Sequence, residues 1–214
     1  MLDRKKRYLQ IALNSTIEDA REIIKSLPRN ERIIVEAGTP LIKRYGTDVI
    51  RQLSYLHPYV VADLKTFDRG ETEVLLAKNA GAKSAVAMGF APIETLNVFI
   101  KSCQEYNMDS MVDMMNVDQP IKVLRQLKKI PDVVILHRGV DEEVFNKSKP
   151  IPYLQINKVR ASFNTLIAIA GGDSIREVQR AIFNDANIVV VWKEFYISTG
   201  NTGQLAEEFL KAIK

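Results

Sequence analysis

Within the six residues Asp63-Leu64-Lys65-Thr66-Phe67-Asp68 the chain places two carboxylates and one ammonium. The apolar run Tyr59-Val60-Val61-Ala62 before them reads as a buried strand. Residues two apart on a strand share a face, so Asp63 and Lys65 should point the same way. Asp68 falls just past the strand end, and the expectation is that it bends back toward them. Neighbouring carboxylates favour the charged form of a lysine. A cationic Lys65 is unsuited to Schiff-base chemistry, which needs a neutral amine. It suits proton delivery or the stabilisation of a developing oxyanion. An ordinary surface ion-pair cluster is the simpler alternative for these residues taken alone.

The elements that must position this group repeat along the chain. Short apolar runs at 8–13, 32–36, 59–64, 84–88, 110–114, 132–136, 165–170 and 187–191 read as strands. Amphipathic stretches at 17–27, 47–56, 69–80, 92–106, 121–129, 141–146, 174–185 and 202–213 read as helices between them. Eight strand-then-helix units of about 27 residues each predict one α/β domain over residues 1–214, a single (β/α)8 TIM barrel near the compact end of its range. A doubly wound open sheet would favour a glycine-rich turn after its first strand, where this chain has Asn14-Ser15-Thr16. Residues 146–158, with Pro150 and Pro152, read as a long loop after the sixth strand.

In such a barrel the chemistry sits at the C-terminal ends of the strands. Asn14, Glu36, Asp63, Lys65, Asp113, His137 and Lys193 all fall there. Glu36 and Asp63 end neighbouring strands, and paired carboxylates on a rigid rim suit a hard divalent ion with positions left for substrate oxygens. The alternative is that Glu36 simply pairs with Lys65. His137 closes Val133-Val134-Ile135-Leu136 and is placed for general-base work, its pKa lying near working pH. Gly171-Gly172 ends the seventh strand, where backbone N–H groups of a glycine turn suit a phosphate, and Lys193 adds a cation. His57, before Pro58, reads as an incidental surface residue. Cys103 reads as core packing, as do Met108, Met111, Met114 and Met115.

Composition bounds the partners. The 214 residues are 46% hydrophobic and 26% charged, an ordinary globular balance. A formal charge of +4 is too mild to indicate nucleic acid. No apolar run reaches membrane-spanning length, so no membrane partner is expected. A single cysteine forms no internal disulfide, and a cytoplasmic location is expected.

The spacing Asp63, Lys65, Asp68 resembles the Asp-x-Lys-x-x-Asp mark of the orotidine monophosphate decarboxylase superfamily. Val35-Glu36-Ala37-Gly38-Thr39-Pro40-Leu41-Ile42 and the residues flanking Lys65 resemble its hexulose-phosphate synthase and ketogulonate-phosphate decarboxylase branch. The decarboxylase side of that branch carries glutamate on strand five and arginine three residues after the histidine. Asp113 and Val140 are instead similar to the synthase side, as are Val112-Asp113-Met114-Met115-Asn116-Val117 and His137-Arg138-Gly139-Val140-Asp141. Archaeal versions include some fused behind a formaldehyde-activating domain, which is not expected in these 214 residues.

The resemblance implies Mg2+ held by Glu36 and Asp63. It implies aldol condensation of ribulose 5-phosphate with formaldehyde to 3-hexulose 6-phosphate, with Lys65, His137, Asp68 and Asp113 catalytic. It implies substrate contacts from Asn14, Gly171, Gly172 and Lys193. It also implies a homodimer whose active sites straddle the interface, with Asp68 reaching the neighbour's site. Decarboxylation of 3-keto-gulonate 6-phosphate, or phosphosugar binding without turnover, are the alternatives. Two positions depart from the family pattern. Asn14 stands where it has aspartate, keeping hydrogen bonds but losing the charge. Trp192-Lys193 replaces glycine-arginine, so a point charge replaces a bidentate fork.

Overall fold

Eight apolar runs, each too short to bury itself alone, close on one another in the computed structural model. It describes residues 1–146, 148–197 and 200–214. The strands are β1 (Tyr8–Leu13), β2 (Ile33–Ala37), β3 (Val60–Thr66), β4 (Ser84–Met88), β5 (Asp109–Asp113), β6 (Val133–His137), β7 (Leu166–Ala170) and β8 (Ile188–Val191). Each lies parallel to the next, and β8 returns to β1, giving a closed barrel. The expected (β/α)8 architecture is therefore observed.

The helices are α1 (Ile17–Ser26), α2 (Thr39–Tyr45), α3 (Asp48–Leu56), α4 (Gly70–Asn79), α5 (Ile93–Glu105), α6 (Pro120–Leu124), α7 (Val140–Phe145), α8 (Tyr153–Ser162), α9 (Ile175–Phe183), α10 (Lys193–Ile197) and α11 (Thr202–Ala212). Three of them, α2, α8 and α10, lie outside the sequence reading. Much of the loop expected at 146–158 is thus helix α8, and Lys147 lies outside the described residues. The helix expected over 121–129 ends at Leu124.

Strand parity separates two cores. Tyr8, Ile34, Val61, Val86, Met111, Val133, Leu166 and Ile188 fill the barrel interior. Residues of opposite parity, such as Leu9, Ile11, Val35 and Ala62, pack outward against helices that supply Leu53, Phe99 and Phe209. Because both faces of most strand positions are buried, the strands read as mostly apolar runs rather than as alternating ones. Among the described residues no helix is long and apolar enough to cross a membrane.

One strand breaks regularity where the chemistry lies. The β3–β4 register runs from Ala62 opposite Ala85 to Thr66 opposite Ala87, so β3 carries two extra residues across that interval. Lys65 sits there with φ of +46°. A non-glycine residue in that region costs about 1 kcal/mol or more. Such a bulge re-aims side chains at a barrel rim.

Helix α5 packs closely against Gly70 at the start of α4. A methyl group there would meet the Phe99 nitrogen and the Thr95 oxygen, each at 2.9 Å. These are backbone atoms of a neighbouring helix and cannot swing away. Gly70→Ala should lower stability by about 1–3 kcal/mol, read as a lower denaturant midpoint with an unchanged slope. An unchanged midpoint would contradict this packing.

Candidate active site

The polar residues that end the strands converge on one cavity of about 480 Å3 at the barrel mouth, lined by Asn14, Glu36, Asp63, Lys65, Asp113 and His137 among others. The bulge in β3 brings the Lys65 ammonium 3.1 Å from Asp63 Oδ2 and 3.2 Å from Asp113 Oδ2. The same Asp113 oxygen lies 2.8 Å from Nδ1 of His137. Its other oxygen accepts the Met115 N–H at 2.9 Å. With Nδ1 engaged, Nε2 is the imidazole nitrogen left for a substrate.

Asp68 is not part of this group. It is exposed and lines a shallow surface depression with Arg69, Glu94, Thr95 and Val98. The chain turns away after the strand, through Arg69 at φ +54°. The second carboxylate on Lys65 is therefore Asp113, supplied by a different strand.

Burial and mutual charge set the protonation states. Burial lowers the Lys65 pKa, but Asp63, Asp113 and Glu36 outweigh it and hold the ammonium above its ordinary value. Burial raises Asp113, yet His137 and Lys65 prevail and bring it to about 2. Burial likewise lowers His137, and Asp113 overcomes this to leave it raised. Glu36 behaves differently: burial first, and then the charge of Asp63, push it up to about 7.

Glu36 Oε2 accepts a hydrogen bond from the Gln10 amide at 2.5 Å. Thr39 Oγ1 lies 2.7 Å from the Asp63 carbonyl and 2.9 Å from Asp63 Oδ2, its one proton serving either. Asp63 Oδ1 is buried without a partner. Among the described residues no three metal-ligating side chains converge. A pair of buried carboxylates, one with a bare oxygen and the other driven toward neutrality by burial and then by its neighbour, fits a hard divalent cation that takes its other ligands from water or substrate.

The remaining candidates divide. Asn14 lines the mouth, and its Oδ1 approaches Gly38 so closely that an added methyl would sit 1.8 Å away. Gly171, at φ +98°, also lines the mouth, and its carbonyl accepts from Arg138 at 2.7 Å. Gly172 does not line it, and a methyl there would meet Ile151 at 2.8 Å and Glu177 at 3.1 Å. Its smallness thus serves packing. The Lys193 ammonium is drawn to Glu143 at 2.7 Å.

The sequence reading missed Gln10, Thr39, Arg138, Glu143 and Asp173. Gln10 carried a usable signal, being a lone polar residue within the apolar run Tyr8–Leu13.

A parallel eightfold barrel with paired acids, a clamped lysine and an acid-oriented histidine at its strand ends defines a class of acid–base barrels. The family described as orotidine 5'-phosphate decarboxylase / HUMPS matches residues 7–191, and the chain belongs to it. It is 42% identical over 186 residues to the bifunctional enzyme Fae/Hps of Methanocaldococcus jannaschii, covering 86% of this chain and 46% of that protein. It is 37% identical over 213 residues to the bifunctional enzyme Fae/Hps of Methanocella arvoryzae, covering 97% and 53% respectively. The chain thus spans about half the length of these curated relatives. The crystal structure of 3-hexulose-6-phosphate synthase from Salmonella typhimurium superposes with a TM-score of 0.86 at 25% identity, covering 96% of this chain and 98% of that one.

The two histidines should titrate on opposite sides of the ordinary value of 6.5, giving a direct check by NMR. His137 is raised by Asp113, whereas His57, whose ring packs back on the Tyr59 carbonyl at 3.0 Å, is lowered by burial. In Asp113→Asn the burial effect is unopposed by that carboxylate, so His137 should fall below its wild-type pKa. A His137 titration unmoved by this substitution would contradict the assigned contact.

Proposed function

We propose that this barrel is a 3-hexulose-6-phosphate synthase, condensing ribulose 5-phosphate with formaldehyde and cleaving the product in reverse. One observation carries the reading: Asp113 Oδ2 is shared by His137 and Lys65, which joins a base and an acid through a single carboxylate. The names of the relatives and of the Salmonella typhimurium structure support it. Asp113 and Val140 favour it over the sugar-acid decarboxylation that the same branch performs.

Neutral His137 takes a proton from carbon 1 of ribulose 5-phosphate. Charge then spreads onto the carbonyl oxygen as an enediolate, and the fixed Lys65 ammonium stabilises it. Carbon 1 attacks the formaldehyde carbon, one carbon–carbon bond forms, and the formaldehyde π bond opens to an alkoxide. Lys65 protonates that alkoxide. His137 then releases the proton from Nε2 to solvent and Lys65 regains one from solvent, while Asp113 stays ionised and holds both groups in place, so the site ends as it began. Glu36 and Asp63 would hold Mg2+, which when bound supplies Lewis-acid stabilisation of substrate oxygens. Asn14 and Gly171 contact the sugar phosphate from the rim.

The active unit in this reading is a homodimer. Phe67, Phe90 and Val98 are about half exposed beside Asp68, with the two phenyl rings 5.6 Å apart. An apolar patch flanking an exposed carboxylate suits a contact that carries Asp68 to the partner's mouth.

Purified protein given ribulose 5-phosphate should consume formaldehyde, losing activity to a chelator and regaining it with Mg2+. Lys65→Ala should lose at least about a thousandfold in rate while keeping its circular dichroism. Inactive Lys65→Ala and inactive Asp68→Ala proteins, mixed, should recover part of the activity as mixed dimers. Release of carbon dioxide from 3-keto-gulonate 6-phosphate without formaldehyde consumption would overturn the assignment. A Lys65→Ala rate near wild type would overturn the roles.

A further inference from the structure

The rim over β7 and β8 is where an anionic group of a ligand would be received, and its donors already have acceptors supplied by the chain. Asp173 Oδ1 takes the backbone N–H of Trp192 at 2.7 Å and that of Lys193 at 3.1 Å. The Lys193 ammonium lies 2.7 Å from Glu143 and 3.9 Å from Asp173 Oδ2. Arg138 donates to the Gly171 carbonyl, and Lys149 is paired with Glu142. Asp173, Glu143 and Trp192 all line the mouth cavity. A phosphate arriving here meets two carboxylates on the groups that would bind it.

We infer that Asp173 and Glu143 are internal counter-anions that a ligand's phosphate displaces, and that they set how strongly this mouth holds a phosphorylated sugar. The inference rests on the phosphosugar reading given above. A phosphate monoester carries about −1.5 to −2 charge near neutral pH, so it outcompetes either single carboxylate for the Lys193 ammonium and the two N–H groups. The displaced carboxylates then oppose it by like charge until they swing outward. Phosphorylated sugars therefore enter at a cost that unphosphorylated ones do not meet, and both residues are specificity-setting without touching the reacting carbon.

The chain's only tryptophan, Trp192, lies at this spot and reports binding by its fluorescence. Inorganic phosphate, ribulose 5-phosphate and unphosphorylated ribulose are titrated into the wild type, Asp173→Asn and Glu143→Gln. The side-chain amide introduced by Asp173→Asn keeps an oxygen for the two N–H groups, so the turn retains its brace. Glu143 lies on α7, which has no buried residue, so Glu143→Gln leaves the core untouched. Both variants should bind inorganic phosphate and ribulose 5-phosphate about tenfold tighter, with unphosphorylated ribulose unchanged. Folded variants that bind phosphate equally or more weakly would show that the carboxylates only brace the turn, and would overturn the inference. So would absence of phosphate binding in all three proteins. The readout needs no turnover. Tighter phosphate binding in a protein that consumes no formaldehyde would sink the synthase reading and leave this inference standing.

Discussion

Three carboxylates and one ammonium share a buried pocket at the end of this barrel, and the arrangement of the site depends on that ammonium. Asp63 and Asp113 both lie within 3.2 Å of Lys65, and their side chains are no more than 10% exposed. Removing one member of a buried ion pair typically costs about 3–5 kcal/mol, because an unpaired charge stays out of water. Glu36 shows what happens with less help: its proton is held to about 7. Together with His137 the cation keeps Asp113 charged, and a charged Asp113 fixes the imidazole.

That arrangement requires the closed sheet. Its members come from β2, β3, β5 and β6, and each end is held by a parallel neighbour on both sides. Strand parity aims Glu36 and His137 inward, while the opposite parity is packed tightly beneath the helices. Lys65 needs more than parity. The two extra residues in β3 and the left-handed backbone at Lys65 bring its long side chain back between two carboxylates. Local strain is tolerated here because the surrounding sheet over-determines it.

The barrel was legible in the sequence because the strands are largely buried on both faces and therefore appear as mostly apolar runs. Helices α2, α8 and α10 were not. Thr39-Pro40 looks like a turn, α8 follows Pro150 and Pro152 and buries only Ile156 and Val159, and α10 has five residues. Glu36, Asp63, Lys65, Asp113 and His137 were legible because each is a charged or titratable residue closing an apolar run. That Asp68 turns away from Lys65 was not legible, because strand periodicity says nothing about the chain direction beyond a bulge. The pairing of Lys193 with Glu143 joins residues 50 apart, and no local pattern announces it.

In the proposed reaction His137 removes a proton from carbon 1 of ribulose 5-phosphate beside a fixed cation. The direct measurement is proton exchange at that carbon, followed by NMR in D2O with Mg2+ present and formaldehyde absent. One carbon-1 proton should be replaced by deuterium in the wild type, and the exchange should vanish in His137→Asn. Retention of both carbon-1 protons by folded wild-type protein, or exchange that continues undiminished without His137, would contradict it.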